Sequence, residues 1–95
     1  MGSDGLEHDA PQVTVRYWAA ARAAAGRESD EVRAATLAEA LRAVVTLHAD
    51  SPRFADVVAI CSVLVGSAPV SSQDPETLRL SAGDVVELLP PFAGG

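Results

Sequence analysis

The sequence predicts an α+β fold, in which a small mixed sheet carries one main helix packed on one face and an extended C-terminal tail follows the last strand. Residues 13–18 alternate apolar and polar side chains, as in a half-buried strand, whereas residues 84–89 are apolar except for Glu87, as in a central strand. Between them, residues 37–49 carry apolar side chains at helical spacing. A helix lying across both strands would bury their apolar faces in one small domain, residues 13–95.

The pattern of residues 13–34 predicts a strand, then a helical turn and then a second strand. The apolar side chains of the first strand share one face: Val13, Val15 and Tyr17. Residues 19–25 are rich in alanine, the strongest helix former. Gly26 can end that short helix in the left-handed conformation, which glycine adopts without a steric penalty. Residues 29–34 have a weaker strand pattern that would pair with the first strand as a hairpin.

The main helix, residues 37–49, begins with a capping box. Thr36 and Glu39 have the spacing at which the threonine oxygen and the glutamate carboxylate can each meet a free backbone amide at the helix start. His48 lies near the C-terminal end, where a protonated imidazole would interact favourably with the helix dipole. We favour this structural role over catalysis, because no serine, cysteine or carboxylate constellation accompanies His48.

The second half of the chain predicts one more short helix and two more strands before the last one. Ser51 suits the cap of that helix and Pro52 suits its first position. Three apolar side chains of this helix would pack inward: Phe54, Val57 and Val58. Residues 62–66 have the pattern of a third strand, and residues 68–70 suit a short edge strand, where proline is tolerated. A turn is expected at residues 74–76.

The composition excludes several classes of protein. The net charge of −6 and the pI near 4.6 argue against nucleic-acid binding, which requires a basic face, and favour a partner with a basic surface. No apolar run is long enough to span a bilayer, so no membrane association is expected. The chain does not open with a basic stretch followed by an apolar one, so we expect no secretory signal and a cytoplasmic location.

Cys61 is the single cysteine of the chain. One thiol cannot form an intrachain disulfide or a cysteine-based zinc site. Because Cys61 lies in the apolar run of residues 57–65, a buried and inert thiol is expected.

The N-terminal arm, residues 1–12, is polar and has no periodicity. This pattern predicts a disordered segment, or a remnant of an expression vector, that lies outside the folded domain.

The C-terminal tail is the segment most informative about function. Six residues follow the last strand: Pro90, Pro91, Phe92, Ala93, Gly94 and Gly95. Glycine has no side chain and allows torsions closed to other residues, so the end can pass through a narrow channel and present its carboxylate. The prolines favour an extended backbone, so the tail leaves the domain in a preferred direction. Phe92 either anchors in a partner pocket or packs on its own sheet. The other interpretation of the tail is a frayed terminus without function.

Three stretches of the chain carry motifs of one known family. Residues 17–26 have two aromatic residues followed by Ala-x-x-Arg and end in glycine, residues 36–41 open a helix, and residues 81–95 combine a Gly-Asp-x-Val strand, a double proline and a Gly-Gly end. These motifs resemble the ubiquitin-like β-grasp sulfur carriers, in particular the family of molybdopterin synthase small subunits. Two features depart from that family: Ala23 stands where many relatives carry glutamate, and the N-terminal arm is longer than usual.

The resemblance implies a sulfur carrier that is not catalytic alone. A partner adenylyltransferase similar to ubiquitin-activating enzymes would use ATP and Mg²⁺ to join the Gly95 carboxylate to AMP, and a sulfur donor protein would convert the acyl-adenylate to a thiocarboxylate. The tail would then enter the large subunit of molybdopterin synthase, in a heterotetramer of two small and two large subunits, and give its sulfur to cyclic pyranopterin monophosphate. The remaining tail residues would contact the partner: Pro91, Phe92, Ala93 and Gly94. The chain itself is expected to bind no cofactor and no metal.

Other functions stay open from the sequence. The same fold and tail serve sulfur carriers of thiamine and cysteine biosynthesis. A ubiquitin-like protein modifier would use the tail to form an isopeptide bond with a target lysine, and a plain interaction domain would have an idle tail. An independent enzyme is the least favoured alternative, because the sequence has no Ser-His-Asp set, no paired carboxylates at matched spacing, no metal cluster and no phosphate-binding glycine loop.

Overall fold

A computed structural model of the protein describes residues 10–91. Five strands and three helices follow one another along this part of the chain: β1 Gln12–Tyr17, α1 Ala19–Ala25, β2 Ser29–Arg33, α2 Leu37–Leu47, α3 Pro52–Ile60, β3 Ser62–Val65, β4 Ala68–Pro69 and β5 Val85–Leu89. None of the helices found among these residues is both long and apolar enough to cross a membrane.

The strands form one mixed sheet in the order β2-β1-β5-β3-β4. The two most apolar strands, β1 and β5, are neighbours and run parallel, with Val15 beside Val86 and Tyr17 beside Leu88. The other pairs, β1 with β2, β3 with β5 and β3 with β4, are antiparallel. The α+β prediction and the central position of the last strand are therefore confirmed.

The core lies between the helices and one face of the sheet. Because side chains alternate along a strand, β1 and β5 each send every second side chain into this layer. The largest side chains that are fully buried there come from both strands and from α2 and α3: Val13, Val15, Tyr17, Leu37, Val44, Phe54, Val86 and Leu88. The predicted inward face of the first strand is thus confirmed, and burial of this one layer stabilises the domain.

The residues predicted to end α1 and to begin α2 do so in the structure. Gly26 ends α1 with φ of +75°, in the left-handed region, and its N–H donates to the Arg22 carbonyl at 2.9 Å. At the start of α2, the Thr36 hydroxyl accepts from the Glu39 N–H at 3.2 Å, and the Glu39 carboxylate accepts from the Ala35 N–H at 2.8 Å. This reciprocal pair is the capping box, and it fixes where α2 begins.

The junction between α2 and α3 differs from the prediction. The helix α2 ends at Leu47 rather than at residue 49, and His48 takes its C-cap position. Pro52 opens α3 as expected, but Ser51 does not cap it through its side chain. The Ser51 hydroxyl instead donates to the Ala24 carbonyl of α1 at 3.4 Å. A contact between helices therefore replaces the local cap.

The prediction that residues 1–12 form a disordered arm is wrong at the C-terminal end of that segment. Gln12 is the first residue of β1 and pairs with Arg33 of β2. The Pro11 carbonyl accepts from the Ala34 N–H at 3.0 Å, and the Ala10 carbonyl accepts from Arg33 Nη1 at 3.1 Å. The hairpin ladder therefore extends past the first apolar residue, whereas residues 1–9 lie outside the described residues.

Candidate functional site at the root of the tail

The tail begins at the middle of the sheet. Strand β5 lies between β1 and β3, and its last residue, Leu89, is opposite Ser62 of β3. The Leu88 carbonyl accepts a hydrogen bond from the Trp18 N–H at 3.2 Å. Pro90 is still buried, whereas Pro91 is exposed. The chain is therefore paired with β1 up to Leu88 and with β3 up to Leu89, and Pro91 is the first exposed residue after the strand.

Most of the predicted site residues follow this point. Of the five tail residues predicted to form the site, Pro91 is described, and four lie outside the described residues: Phe92, Ala93, Gly94 and Gly95. Four residues of extended chain span at most about 14 Å. Any partner that acts on the final carboxylate must therefore approach within that distance of Pro91.

The outer face of the sheet carries a cluster of three side chains beside this root, which we call the Trp18 cluster: Arg16, Trp18 and Glu87. Since Val86 and Leu88 point into the core, Glu87 points to the opposite face, and it pairs in register with Arg16 of β1. The Trp18 Nε1–H donates to Glu87 Oε1 at 2.9 Å, and the Arg16 guanidinium carbon lies 5.3 Å from the centre of the indole ring. The indole is thus held by a hydrogen bond and a cation–π contact.

The sequence alone did not indicate a function for the Trp18 cluster. Glu87 stood out there only as the polar exception in an apolar strand, and Trp18 only as one of two adjacent aromatic residues. Alternation already placed both outward, but their mutual contact depends on the parallel pairing of β1 with β5. That pairing joins residues 69 positions apart in the chain.

A second polar cluster lies in the core, around Asp30, which is 6% exposed. Asp30 Oδ2 accepts from the Tyr17 hydroxyl at 2.7 Å and lies 2.7 Å from His48 Nε2. Its other oxygen, Oδ1, accepts from Arg27 Nη1 at 2.8 Å. Because an ionised carboxylate only accepts hydrogen bonds, His48 must carry a proton on Nε2. Three separate segments of the chain, those of Tyr17, Arg27–Asp30 and His48, are joined at one carboxylate.

The Asp30 cluster shifts two pKa values in opposite directions. Burial opposes ionisation of Asp30 and is the largest single effect, but the hydrogen bonds from His48, Tyr17 and Arg27 together outweigh it and hold the pKa of this carboxyl below its ordinary value. Burial, followed by the hydrogen bond to Asp30, raises the pKa of Tyr17 well above its ordinary value. His48 is the C-cap residue of α2, and its ring binds Asp30, a partner that the sequence did not indicate.

Aromatic rings pack against one another around the Asp30 cluster. Tyr17 and Phe54 meet edge to face with centroids 5.4 Å apart, and the His48 and Phe54 rings lie 4.5 Å apart. Within residues 10–91, every buried side-chain nitrogen and oxygen has a hydrogen-bond partner. With no polar atom left free for a substrate, the cluster is a structural element and not a candidate active site.

Cys61 is half-buried at the C-terminal end of α3, so the predicted burial of its thiol is only partial. Its thiol donates to the Val57 carbonyl at 3.2 Å. Burial raises the pKa of Cys61 to about 11. The thiolate, which is the reactive form, is therefore scarce at neutral pH.

We expect Cys61 to react with iodoacetamide about two orders of magnitude more slowly than an exposed cysteine near pH 7.5, because a free thiol has a pKa of about 8.5. The rate should be measured by intact mass against a Cys61→Ala variant that carries Ser72→Cys, since Ser72 is exposed. Equal rates for the two thiols would contradict this prediction.

Little else in the described chain could do chemistry. Residues 10–91 contain no group of three or more histidine, cysteine, aspartate or glutamate side chains placed to hold a metal ion. A groove of about 420 Å³ lies between α2, β3 and residues 69–75, and none of its lining residues is charged. The root of the tail and the Trp18 cluster beside it therefore form the candidate functional site.

Comparison with known proteins identifies the fold and the family. A sequence model of the ThiS family matches residues 15–95. No curated protein matches the chain. Among solved structures, one subunit of the BexX/CysO complex of Amycolatopsis orientalis is 28% identical, with 87% of this chain and 99% of that chain covered and a TM-score of 0.71. A chain from the complex of molybdopterin-converting factor subunits 1 and 2 of Helicobacter pylori is 26% identical, with 88% and 99% covered and a TM-score of 0.63.

A third structure supports the fold alone. Small archaeal modifier protein 1 of Methanosarcina acetivorans is 18% identical, and the match covers 90% of this chain and 98% of that chain with a TM-score of 0.75. The five-stranded mixed sheet with its helices matches such ubiquitin-like β-grasp neighbours, so the predicted β-grasp fold is confirmed. Two of the similar structures are complexes of a small carrier with a second subunit, which indicates that proteins of this kind act with a partner protein.

Proposed function

The chain belongs to the ThiS family of ubiquitin-like sulfur carriers, and from this premise we propose that it carries sulfur as a thiocarboxylate on Gly95 for the synthesis of molybdopterin. The observation that supports this proposal most directly is the position of the tail root. The last strand lies between two others and ends at Leu89, Pro90 is still buried, and Pro91 is exposed. A rigid body followed by a thin end suits delivery of a carboxyl group into the active site of another protein.

The chemistry at Gly95 needs an activation step. A carboxylate is a poor electrophile, so the partner adenylyltransferase uses ATP and Mg²⁺ to form an acyl-adenylate and releases pyrophosphate. The outer sulfur of a persulfide on a donor protein then attacks the acyl carbon and AMP leaves, which gives an acyl disulfide. A second thiol attacks the donor sulfur of this acyl disulfide, so that a disulfide forms and the thiocarboxylate is released. Because Gly95 has no side chain, neither attack meets a steric barrier at the acyl carbon. The adenylyltransferase, and not this chain, performs the catalysis.

The molybdopterin branch is supported by two observations. Residues 17–26 resemble the two-aromatic, Ala-x-x-Arg segment of molybdopterin synthase small subunits. A molybdopterin-converting factor complex is among the similar structures. In this proposal the loaded tail enters the large synthase subunit, in an assembly of two small and two large subunits. Sulfur passes to cyclic pyranopterin monophosphate, and Gly95 returns as a carboxylate.

The alternative is sulfur delivery in another pathway, such as thiamine or cysteine biosynthesis, or protein modification. The first of these is favoured by the 28% identity to a chain of the BexX/CysO complex, which is slightly above the identity to the molybdopterin-converting factor. All sulfur-carrier alternatives share adenylation and the thiocarboxylate. They differ only in the acceptor that takes the sulfur.

The test has two stages. The purified chain, incubated with an adenylyltransferase of the ubiquitin-activating type and ATP, is expected to support ATP–pyrophosphate exchange. With a sulfur donor present, it should gain the mass difference between sulfur and oxygen by intact mass spectrometry. The loaded chain is then mixed with molybdopterin synthase large subunit and pyranopterin precursor. A dithiolene product supports the molybdopterin branch. ATP–pyrophosphate exchange without a dithiolene product would indicate that another acceptor takes the sulfur. Absence of both exchange and mass gain would contradict the sulfur-carrier proposal itself.

A further inference from the structure

Strand β2 is an open edge of the sheet. It pairs with β1 on its inner side, and three of its residues are exposed: Ser29, Glu31 and Arg33. An edge strand presents unpaired backbone N–H and C=O groups to which another strand can bind. The edge at the other end of the sheet is β4, which has two residues, one of them Pro69. A strand so short offers little to a second strand, so β2 is the edge at which pairing is expected.

The hydrogen bonds of the β1–β2 hairpin determine which backbone groups of β2 face outward. The Tyr17 N–H donates to the Glu28 carbonyl at 2.8 Å, so these two residues form a hydrogen-bonded pair. Such pairs alternate along an antiparallel ladder, and the even-numbered residues of β2 therefore bond to β1. The odd-numbered residues, Ser29, Glu31 and Arg33, point their N–H and C=O groups away from the sheet along the open edge.

Charged side chains protect many edge strands from association, but those of β2 match a second copy of the same strand. Glu31 and Arg33 lie on one face of the sheet because they are two positions apart. When two copies of β2 run antiparallel about a two-fold axis at Val32, Glu31 of each copy lies directly opposite Arg33 of the other. Both pairs then combine backbone hydrogen bonds with opposite charges. An axis at Glu31 would instead bring two carboxylates together, so the charges also select the register.

The contacts of these two side chains within the chain leave them able to bind a second copy. Glu31 Oε1 accepts from Gln12 Nε2 at 2.6 Å, and Arg33 Nη1 donates to the Ala10 carbonyl at 3.1 Å. A carboxylate has a second oxygen and a guanidinium has further N–H donors. Since Glu31 and Arg33 are both exposed, these remaining atoms face solvent in the single chain.

Apolar side chains follow the same edge on the helix side of the sheet. Val32 is half-buried on that side, and Leu47 of α2 is 54% exposed. His48, the next residue, binds Asp30 of β2, so the C-terminal end of α2 lies beside this strand. A two-fold axis perpendicular to the sheet keeps the helices of both copies on one face. Pairing at β2 therefore brings the apolar side chains of both copies to the same side of the joined sheet.

We propose that the chain forms a homodimer through β2, in which the two edges pair antiparallel about Val32 and the two sheets join into one continuous sheet. The two-fold axis reverses the strand direction in the second copy, so the two C-terminal tails leave the joined sheet at opposite ends. Strand β1 separates β5 from the seam, so the root of each tail stays accessible. This interaction does not depend on the proposed function.

The experiment is sedimentation equilibrium of the full chain over a range of concentrations. The salt concentration is kept near about 0.15 M, because two chains of net charge −6 repel each other at long range. Since the edge is short, we expect a weak dimer that is largely dissociated near about 10 μM and largely formed near about 1 mM. A mass that stays at the 9.8 kDa of one chain up to the highest concentration would overturn the proposal.

Charge variants test the register. Glu31→Arg places arginine opposite arginine in both pairs and is expected to raise the dissociation constant of the dimer at least about tenfold, and Arg33→Glu should do the same with carboxylates. An equimolar mixture of the two variants again has opposite charges in both pairs, so it should associate about as strongly as the original chain. The matched control is Asp56→Arg, which makes the same change of charge on the exposed side of α3 and should leave the dissociation constant within about twofold.

A second readout locates the seam. On dilution of the original chain, the backbone amide NMR signals of Glu31 and Arg33 should shift more than those of Asp30 and Val32, because only the outward N–H groups donate to the second copy. Dimerisation that survives Glu31→Arg, or amide shifts confined to another surface, would overturn pairing at β2. A mixture of the two charge variants that stays monomeric would overturn the register about Val32, provided that thermal melts show both variants to be folded.

Discussion

A chain that ends at Ala93 is expected to fold like the original protein and to accept no sulfur. Deleting Gly94 and Gly95 draws the terminal carboxyl back by about 7 Å along an extended tail, so it no longer reaches the position where the partner holds ATP. It also places the Ala93 methyl group beside the reacting carbon. Reacting atoms must be aligned within a few tenths of an ångström. The rates of ATP–pyrophosphate exchange and of sulfur loading should therefore fall by at least about a thousandfold.

The control for this truncation keeps the length of the tail. Ala93→Gly changes a tail residue but leaves the terminal carboxyl in place, so exchange should stay close to the original rate. The thermal midpoint of the truncated chain should be unchanged, since the buried core residues come from the part of the chain between Val13 and Leu88. Sulfur loading of the truncated chain at the original rate would contradict the proposed role of Gly95.

The features predicted well from the sequence are those set by neighbouring residues. The alternation of Val13, Val15 and Tyr17 places a buried face on β1 because side chains alternate in any strand. The Thr36–Glu39 box and the left-handed Gly26 each depend on a few consecutive residues. Such signals survive in the fold because tertiary packing agrees with them.

The features missed from the sequence are contacts between distant segments. His48 ends α2 near the predicted position, but its ring turns to Asp30, 18 residues earlier in the chain. Ser51 has the residue type of a cap, yet its hydroxyl bonds to α1. In both cases a local preference worth about 1 kcal/mol is outweighed by a partner that only the assembled fold provides. The contact of Trp18 with Glu87 was missed for the same reason.

The candidate site was predicted in part. Its tail residues were found because a terminal Gly-Gly pair after two prolines is a local signal. The surface that adjoins the tail was not, because it arises when β5 inserts between β1 and β3. The sheet order thus places the Trp18 cluster beside the root of the tail, and neither feature can be predicted from the other.

Replacing Asp30 by alanine is expected to lower the free energy of unfolding by about 3 kcal/mol. The change leaves the Tyr17 hydroxyl and His48 Nε2 without their shared acceptor in the core. Arg27, which is largely exposed, can turn to water. Since a domain of this size is stable by only about 5–14 kcal/mol, urea denaturation should show a clear shift of the midpoint. The matched control is Glu31→Ala, the next residue on the exposed face, which should cost less than about 0.5 kcal/mol.

The same carboxylate makes stability depend on pH in a defined direction. Because the pKa of Asp30 is lower in the folded protein than in the unfolded chain, the unfolded chain takes up the proton first as the solution is acidified. The contribution of Asp30 is therefore complete above the unfolded value of about 3.9 and is lost as the pH falls through the lower folded value. Asp30→Asn cannot ionise, so its stability deficit relative to the original chain should be largest near neutral pH and should shrink below about pH 4. A deficit that stays constant between about pH 6 and pH 2 would mean that Asp30 is not ionised in the core, and the hydrogen-bond assignment of His48 would have to change with it.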